Sequence, residues 1–398
     1  MKLPTANYHQ SSIIASLTNA EKITKLAGIY LHIPFCKQAC AYCNFHFTTS
    51  LRYKDDLVQA LSKEIALEKD YLESEAVETI YFGGGTPSLL SIGDCQLLME
   101  AIRQHFDVAT GAEVTLEANP DDITEEKLRG WKEAGINRLS IGVQSFFEEE
   151  LRWMNRAHTA EQAIGNLQLA RNAFENITMD LIYGSPLLTD EMWKQNVDTA
   201  AALDIPHLSC YALTVEEKTP LYKSIQTQKT LNVDNDKQAR QFLLLMQWLK
   251  EKGYEHYEVS NFAKPGFRSR HNSSYWKGAK YLGIGPSAHS YNGAERRWNI
   301  ANNNVYVKSI KQGLPKRETE LLSPKDRLNE TIMISLRTKE GLDLKRIAKE
   351  FAFDESKRIE QGLRKYVANG FVQLHDDVAQ LTNEGMLRAD GIASELFV

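Results

Sequence analysis

The sequence predicts an α/β protein in which a barrel of six βα units, open or closed, precedes a smaller helical, winged-helix-like domain. Three observations predict this fold. Short apolar runs alternate with helical patterns over the first three quarters of the chain. The spacing of these runs fits parallel strands joined by crossover helices. From about residue 321 the pattern changes to helices followed by a hairpin.

The predicted strands of the barrel are apolar or β-branched runs at 28–33, 77–82, 114–118, 138–143, 177–182 and 207–212. Helical periodicity lies between them at 53–71, 92–105, 124–134, 159–173 and 192–203. The next segments are predicted as a helix at 238–252, a strand at 255–260 and a glycine- and aromatic-rich loop through residue 298. Polar residues follow several strands, so we expect them to converge at the carboxyl end of the barrel, where such folds place their chemistry.

The end of the chain is predicted to form a separate domain. An asparagine-rich run, then Gly313 and Pro315, indicate a boundary near residue 300. Helices are predicted at 325–336, 344–351 and 355–369, and a hairpin joins 371–374 to 378–381. We therefore expect an N-terminal extension at 1–26, either a disordered tail or an overextended start, a barrel domain at 27–300 and an accessory domain at 301–398. For the accessory domain a structural role is favoured over DNA binding, because its charges are mixed.

The composition excludes several classes of protein. The 398 residues carry 47 Lys and Arg against 52 Asp and Glu, a net charge of -5, which gives no reason to expect a nucleic-acid or anionic-membrane surface. Apolar runs are too short to span a bilayer, and the first residues do not resemble a secretory signal. We therefore expect a cytoplasmic protein with no nucleic-acid partner.

Three of the five cysteines lie within eight residues, in the pattern Cys36-x3-Cys40-x2-Cys43 directly after the first predicted strand. An odd count with this clustering indicates a metal and not a disulfide framework. Three thiolates can bind three irons of a [4Fe-4S] cluster and leave the fourth iron to an exchangeable ligand. The alternative is a zinc site with His46 as the fourth ligand, and with it a structural protein. The isolated Cys95 and Cys210 are predicted to be buried core thiols.

A glycine run follows the second predicted strand, in Phe82-Gly83-Gly84-Gly85-Thr86-Pro87. Consecutive glycines let a backbone approach a ligand where any Cβ would clash. A tight turn without a ligand is the alternative. Because the cysteine loop lies one strand earlier, we expect a ligand site.

On these two motifs the sequence resembles the radical S-adenosylmethionine (SAM) superfamily. Within it, five segments are similar to the oxygen-independent coproporphyrinogen III oxidase group, namely YLHIPFC at 30–36, LEANP at 116–120, SIGVQSF at 140–146, NRAH at 155–158 and MDLIYG at 179–184. The resemblance extends from about Gly28 to the C-terminus. It implies a partial (β/α)6 radical SAM barrel and an accessory domain of the HemN type.

The resemblance also implies a cofactor site. Cys36, Cys40 and Cys43 would hold a [4Fe-4S] cluster, and SAM would chelate its open iron. The implied SAM contacts are Tyr30, Tyr42, Gly84, Gly85, Thr86, Glu117, Gln144, Arg156, Asp180, Ala212 and His289. Carboxylates can accept hydrogen bonds from the SAM ammonium or ribose, and Arg156 can bind its carboxylate.

Some of these residues have plainer alternatives. From the residues alone, Glu117 and Asp180 could instead be paired inside the barrel, and Arg156 could be a surface helix residue. His32 is either a neighbour of the cluster or a packed interior histidine.

One departure separates two functions. The oxidases continue the cysteine motif with a further cysteine, where this sequence has Phe45. In addition, the segment HNSSYW at 271–276 is similar to the His-Asn-x-x-Tyr-Trp signature of the haem chaperones in this group. Imidazole is a common axial ligand of haem iron and aromatic rings can cover the macrocycle, so His271 is a candidate haem-binding residue.

The implied function is therefore that of a haem chaperone, which binds a [4Fe-4S] cluster, SAM and haem and transfers haem to an acceptor protein. The alternative is an oxygen-independent coproporphyrinogen III oxidase. No catalytic residue is assigned, and whether the chain is an enzyme stays open. The expected partners are haem and an unidentified acceptor, with a homodimer and transient contact with membrane haem proteins as further expectations.

Overall fold

The structure is a computed structural model and describes residues 27–398. The expected N-terminal extension at 1–26 lies outside the described residues. Within residues 27–398, no helix combines the length and apolar character needed to cross a membrane.

The predicted alternation of strands and helices is confirmed. The six strands are β1 (Ala27–Ile33), β2 (Val77–Gly84), β3 (Val108–Ala118), β4 (Arg138–Gln144), β5 (Asn176–Tyr183) and β6 (His207–Ala212). Each pairs in parallel with the next. The helices that follow them are α1 (Lys54–Leu67), α2 (Ile92–His105), α3 (Glu125–Ala134), α4 (Glu148–Trp153), α5 (Ala160–Ala173), α6 (Asp190–Ala202), α7 (Pro220–Gln226) and α8 (Asn235–Glu251).

The expected partial barrel is also confirmed, and it is wider than six strands. The remaining elements of this sheet and its edges are β7 (Glu255–Glu258), β8 (Asn261–Ala263), α9 (Arg270–Trp276), β9 (Lys280–Ile284), β10 (His289–Tyr291), β11 (Glu295–Asn299), α10 (Asn303–Lys311) and β12 (Arg317–Leu321). β9 pairs in parallel with β1, on the side opposite β2. Within the described residues the strand order is β12-β11-β10-β9-β1-β2-β3-β4-β5-β6-β8-β7, so the sheet stays open between β12 and β7.

The prediction of a loop from residue 261 to 298 is wrong, because this stretch contains α9 and the strands β8 to β11. The predicted domain boundary near residue 300 lies between β11 and α10. The main sheet continues past it, since β12 pairs with β11 from Arg317 to Leu321.

Buried apolar side chains of the parallel strands and of the helices that cover them form the core of the barrel. Continuous apolar burial is what a parallel sheet requires, since helices cover its faces. Cys95 on α2 and Cys210 on β6 are fully buried, which confirms them as core thiols. Two of the barrel helices begin with a capping box, at Ser91 before α2 and at Thr159 before α5.

The C-terminal elements have their own core. They are α11 (Pro324–Leu336), β13 (Leu342–Asp343), α12 (Leu344–Glu350), α13 (Phe353–Ala368), β14 (Val372–His375), β15 (Val378–Leu381), α14 (Asn383–Met386) and α15 (Ala389–Glu395). The predicted hairpin is β14 and β15, and its turn residues Asp376 and Asp377 both have positive φ, 48° and 69°. Two consecutive positive φ angles are typical of a type I′ hairpin turn. With β13 the hairpin forms a small sheet beside the helices, as expected for a winged-helix-like fold.

Candidate functional site

The loop after β1 carries the three clustered cysteines, all of which are partly exposed. The loop is fixed at its ends, because the Cys36 N–H donates to the Thr48 carbonyl at 3.0 Å and the Thr48 N–H donates to the Pro34 carbonyl at 2.7 Å. Its middle is tied to other elements, since the Ala41 N–H donates to the Met154 carbonyl at 3.0 Å. The thiols therefore lie on a braced segment that is open to a ligand.

Burial raises the pKa of the Cys36 thiol to about 11, although hydrogen bonding from Thr86 and the nearby Arg156 charge act in the opposite direction. Burial also raises the pKa of Cys43. The free thiols of Cys36 and Cys43 are therefore protonated at neutral pH. A metal that binds them as thiolates has to displace those protons.

Two observations weigh against a zinc site that uses His46 as its fourth ligand. Among residues 27–398, no group of three or more His, Cys, Asp or Glu side chains has the spacing to hold one metal ion. The His46 imidazole is also engaged, because its Nε2 lies 2.7 Å from Asn303 Oδ1. A tetrahedral zinc needs four ligands about 2.0–2.3 Å from one ion. A four-iron cluster binds each thiolate at a different iron, so it takes cysteines that are further apart.

Arg156 connects the cysteine loop to the barrel. Its Nη1 lies 3.2 Å from Cys40 Sγ, and its Nη2 donates to Asn119 Oδ1 at 2.8 Å and to the Gly142 carbonyl at 2.6 Å. The interpretation of Arg156 as a surface helix residue is therefore wrong. Its Nε is buried and has no hydrogen-bond partner among the residues that the structure describes. An acidic ligand could accept from this donor.

The glycine run has a structural cause that the sequence did not reveal. A Cβ at Gly85 would lie 2.7 Å from the Phe35 carbonyl oxygen and 2.8 Å from that of Ile33, and a Cβ at Gly84 would lie 2.6 Å from the His32 ring. Gly84 also has a positive φ of 109°. The close approach that requires these glycines is thus to β1 and the start of the cysteine loop, which the end of β2 contacts directly.

Thr86 completes this contact between the two loops. Its N–H donates to the Phe35 carbonyl at 2.6 Å, and its hydroxyl lies 3.6 Å from Cys36 Sγ. The Asn119 amide in turn donates to the Thr86 hydroxyl at 3.3 Å. Asn119 therefore bridges Thr86 and Arg156, a role that the motifs did not single out. The sequence did offer one indication of this role, because Asn119 lies two residues after Glu117 and directly beyond the end of β3.

Two carboxylates lie inside the barrel on alternate strands, Glu117 on β3 and Asp180 on β5. Glu117 accepts hydrogen bonds from the Tyr81 hydroxyl at 2.8 Å and from the Gly84 N–H at 3.1 Å. Burial raises the pKa of Glu117 to about 7, and the Asp180 charge adds to this increase. Burial likewise raises the pKa of Asp180 to about 6, against the effect of the Ser209 hydroxyl. The two groups repel each other and do not pair, so a cationic ligand would stabilise both in their charged form.

Four further SAM-site candidates lie at the same end of the sheet. Gln144 ends β4 with a φ of 72°, at a register shift in the β4–β5 ladder, so it holds a backbone conformation that is strained for a non-glycine residue. Ala212 ends β6. Tyr42 packs with an apolar cluster beside the cysteine loop. His289 is exposed on β10 and stacks on Trp298, with 5.7 Å between ring centroids.

His32 is a packed interior histidine that also supports the cysteine loop. It is 5% exposed, its Nε2 lies 2.9 Å from the His46 carbonyl oxygen, and its Nδ1 lies 3.1 Å from the hydroxyl of the SAM-site candidate Tyr30. Burial lowers the pKa of His32 to about 4, so the ring is neutral at physiological pH.

The HNSSYW segment forms α9, which closes the opposite end of the barrel. His271 is 1% exposed, and its backbone N–H donates to Glu113 Oε1 at 3.0 Å. Its Nδ1 lies 2.8 Å from Thr79 Oγ1, and its Nε2 lies 2.9 Å from the Tyr275 hydroxyl. Burial lowers the pKa of His271 to about 3. The ring is therefore neutral, with both nitrogens already hydrogen-bonded.

The two ends of the barrel are well separated. Thr79, next to His271, precedes Gly84 by five residues on β2, a separation of about 16 Å at the usual rise of a strand residue. Tyr81 lies between them, because its ring stacks on His271 with centroids 4.9 Å apart and its hydroxyl donates to Glu117. Tyr81 is a further site residue that the motifs did not single out.

Known proteins resemble both the barrel and the C-terminal elements of this chain. Residues 30–200 match the Radical SAM superfamily, and residues 322–388 match the HemN C-terminal domain. The heme chaperone HemW of Bacillus subtilis is 33% identical over 91% of this chain and 97% of its own length. HemW of Escherichia coli is 38% identical over 66% of this chain and 69% of its own length. The structure of the coproporphyrinogen III oxidase HemN from Escherichia coli is 24% identical, with a TM-score of 0.82 over 94% of this chain and 90% of that one, which shows the shared fold.

A partial (β/α)6 barrel with a three-cysteine loop after its first strand defines a radical SAM protein. Within that class, the identity to the curated relatives over nearly their whole length shows that the chain belongs to the HemW family.

Proposed function

We propose that this protein is a haem chaperone, which binds haem and transfers it to an acceptor protein. The observation that carries the proposal is the position of the HNSSYW segment at the amino end of the barrel, with the cysteine loop at the carboxyl end. Radical chemistry on a porphyrinogen requires the substrate to lie beside SAM. Aromatic and histidine side chains at the other end of the barrel suit a separate haem site. The names of the curated relatives support the same function.

The cofactors are a [4Fe-4S] cluster and SAM. Cys36, Cys40 and Cys43 bind the cluster, which supplies the electron for radical SAM chemistry when it is reduced. At the position where the oxidases have a further cysteine, this chain has Phe45, whose side chain is 67% exposed.

The chain's own residues bind and orient SAM. Arg156 donates its unpaired Nε to the SAM carboxylate, while Glu117 and Asp180 supply negative charge for the cationic ligand. The remaining contacts are Tyr30, Tyr42, Gly84, Gly85, Thr86, Gln144, Ala212 and His289. The convergence of most of these residues at the carboxyl end of the sheet supports this assignment.

The proposal extends to location and partners. Free, unpaired cysteines are typical of a reducing compartment, which supports a cytoplasmic location. The haem acceptor is a protein. The chain also forms a homodimer and makes transient contact with membrane haem proteins. His271 belongs to the haem site through α9, where its buried side chain lies against Tyr275. The accessory domain begins after β12, where the HemN C-terminal match starts.

The direct test is a haem titration of the purified protein, reconstituted anaerobically with iron and sulfide and followed by absorption. We expect saturable binding of one haem per chain. A protein that shows no saturable binding contradicts the proposal. The parallel assay supplies reductant, SAM and coproporphyrinogen III under anaerobic conditions, and we expect no protoporphyrinogen. Its formation would establish the oxidase instead.

A further inference from the structure

A cavity of about 690 Å³ opens beside α9, between the β9–β11 edge of the main sheet and the helices α11 and α12 of the accessory domain. Its volume is within the range of roughly 300–1,000 Å³ that is usual for ligand sites. Tyr275 and Trp276, the last two residues of the HNSSYW segment, form part of its wall. The cavity is therefore at the amino end of the barrel, away from the cysteine loop.

The lining combines aromatic rings with arginines. Tyr281, Tyr291 and Phe351 add to the rings of α9. A flat, largely apolar ligand can stack on such rings.

The charges of the cavity are not fully compensated. Arg296 is paired with Glu330 at 2.7 Å, and Arg346 is paired with Glu350 at 2.9 Å. Arg327 lines the same cavity and has no ion-pair partner in the described part of the chain. Two buried donors in the wall, Trp276 Nε1 and Arg296 Nε, also have no hydrogen-bond partner among residues 27–398. Buried donors without partners are uncommon, and an acidic ligand would satisfy them.

We propose that this cavity is the haem site, in which the aromatic rings cover the macrocycle and Arg327, together with Arg296, binds the propionates. The inference rests on the proposed function and gives it a location. A tetrapyrrole with two propionates is flat, mostly apolar and anionic along one edge, which are the three properties that the lining would recognise.

The same geometry places His271 behind the cavity wall. Its ring is buried, and the Tyr275 hydroxyl occupies its Nε2 at 2.9 Å. Of His271 and Tyr275, Tyr275 lines the cavity. His271 therefore holds Tyr275 in place and does not bind the haem iron.

Two ligands without iron ligation test the site. Protoporphyrin IX lacks the metal but keeps the macrocycle and both propionates, so it should compete with haem for the reconstituted protein. Its dimethyl ester lacks the two charges and should bind at least tenfold more weakly, because hydrogen bonds to charged groups are worth about 1.5–3 kcal/mol each. A protein that binds haem but neither porphyrin would overturn the cavity assignment, since iron ligation would then account for binding.

Three test variants and one control locate the site within the protein. Arg327→Ala should weaken haem binding about tenfold, while Arg364→Ala, an exposed arginine on α13, should leave it unchanged. Thr331→Trp should narrow the cavity and weaken binding, and circular dichroism checks that it folds. His271→Gln should leave the absorption maximum of bound haem at the wild-type position, whereas loss of an axial ligand would shift it.

The outcomes separate the two proposals. If the wild-type protein binds no haem, the proposed function fails. If it binds haem and Arg327→Ala binds equally well, the proposed function stands and the cavity assignment fails. A shifted absorption maximum in His271→Gln also contradicts the assignment.

Discussion

Arg156 lies against Cys40, with 3.2 Å between Nη1 and Sγ, although the two residues are 116 positions apart in the chain. The same guanidinium hydrogen-bonds to Asn119 beyond β3 and to Gly142 on β4. One side chain thus joins the cysteine loop to two strands of the barrel. Because its Nε is left without a partner among the described residues, it has a donor to spare at the place where SAM is proposed to bind.

Replacing Arg156 by Ala should weaken SAM binding about tenfold or more, because a hydrogen bond between charged groups is worth about 1.5–3 kcal/mol. Calorimetric titration of the cluster-loaded protein with SAM measures this loss. Arg152→Ala is the matched control, since the Arg152 side chain is 77% exposed in the same segment. Equal SAM affinity in the two variants would contradict the role of Arg156.

Replacing Cys40 by Ala should abolish the [4Fe-4S] cluster, because two protein thiolates remain where three are needed. Iron and acid-labile sulfide analysis after anaerobic reconstitution measures the cluster content. Cys95→Ala is the control, since Cys95 is fully buried in α2 and is assigned to the core. If the Cys95→Ala protein folds but loses its cluster, the assignment of Cys95 to the core and of the loop cysteines to the cluster is wrong.

Replacing Gly85 by Ala should destabilise the protein by about 1–3 kcal/mol, as overpacking of a well-packed site does. The new Cβ would meet the carbonyl oxygens of Phe35 and Ile33 at 2.7 and 2.8 Å. Chemical unfolding measures the change in the free energy of unfolding.

The control for this prediction is Gly165→Ala in α5. There the new Cβ would meet no atom of the described chain within 4 Å, and the helix should gain about 0.5–1 kcal/mol. Equal stability of the two variants would mean that the contact between the end of β2 and the cysteine loop is not tight.

SAM binding should strengthen as the pH rises from about 5.5 to 8. Without ligand the pKa of Glu117 is raised to about 7, so much of this carboxyl is neutral at the lower pH. A cationic ligand favours the charged carboxylate, so binding at low pH has to release a proton from Glu117. At high pH this proton is already lost, and binding is therefore tighter. SAM titrations across this pH range give the profile.

Two variants test whether Glu117 causes this profile. Glu117→Gln should flatten it and leave the smaller contribution of Asp180, whose pKa is raised to about 6. Tyr81→Phe should move its midpoint to higher pH, because the variant removes a hydrogen bond that stabilises the charged carboxylate. Glu126→Gln, at an exposed position on α3, should leave the profile as it is. An unchanged profile in Glu117→Gln would assign the titration to another group.

The barrel strands could be predicted because strands buried on both faces appear as continuous apolar runs. β9 could not, since its five residues pair with β1, which lies about 250 positions earlier in the chain, and a local pattern carries no information on that partner. A local pattern likewise does not show which distant segment a glycine packs against. The sequence therefore predicts that Gly84 and Gly85 face a ligand. Their nearest neighbours are in β1 and the cysteine loop, which only the fold brings to them.

The cysteine motif and the carboxylates could be located from sequence because they follow, or lie near the ends of, predicted strands. The location of His271 could not be predicted in this way. The strand predicted before the HNSSYW segment, at 255–260, is not one of the six predicted barrel strands, so it did not place the segment. The structure puts the segment at the amino end of the barrel.

The position of β1 between β2 and β9 also bears on how the protein is made on the ribosome. The first strand of the barrel has both neighbours in place only after residue 284 has been synthesised, which is most of the chain. Until then β1, which leads into the cysteine loop, lacks its second neighbouring strand. We therefore expect a chain truncated before β9 to accumulate without the cluster, which iron analysis of the truncated protein would measure.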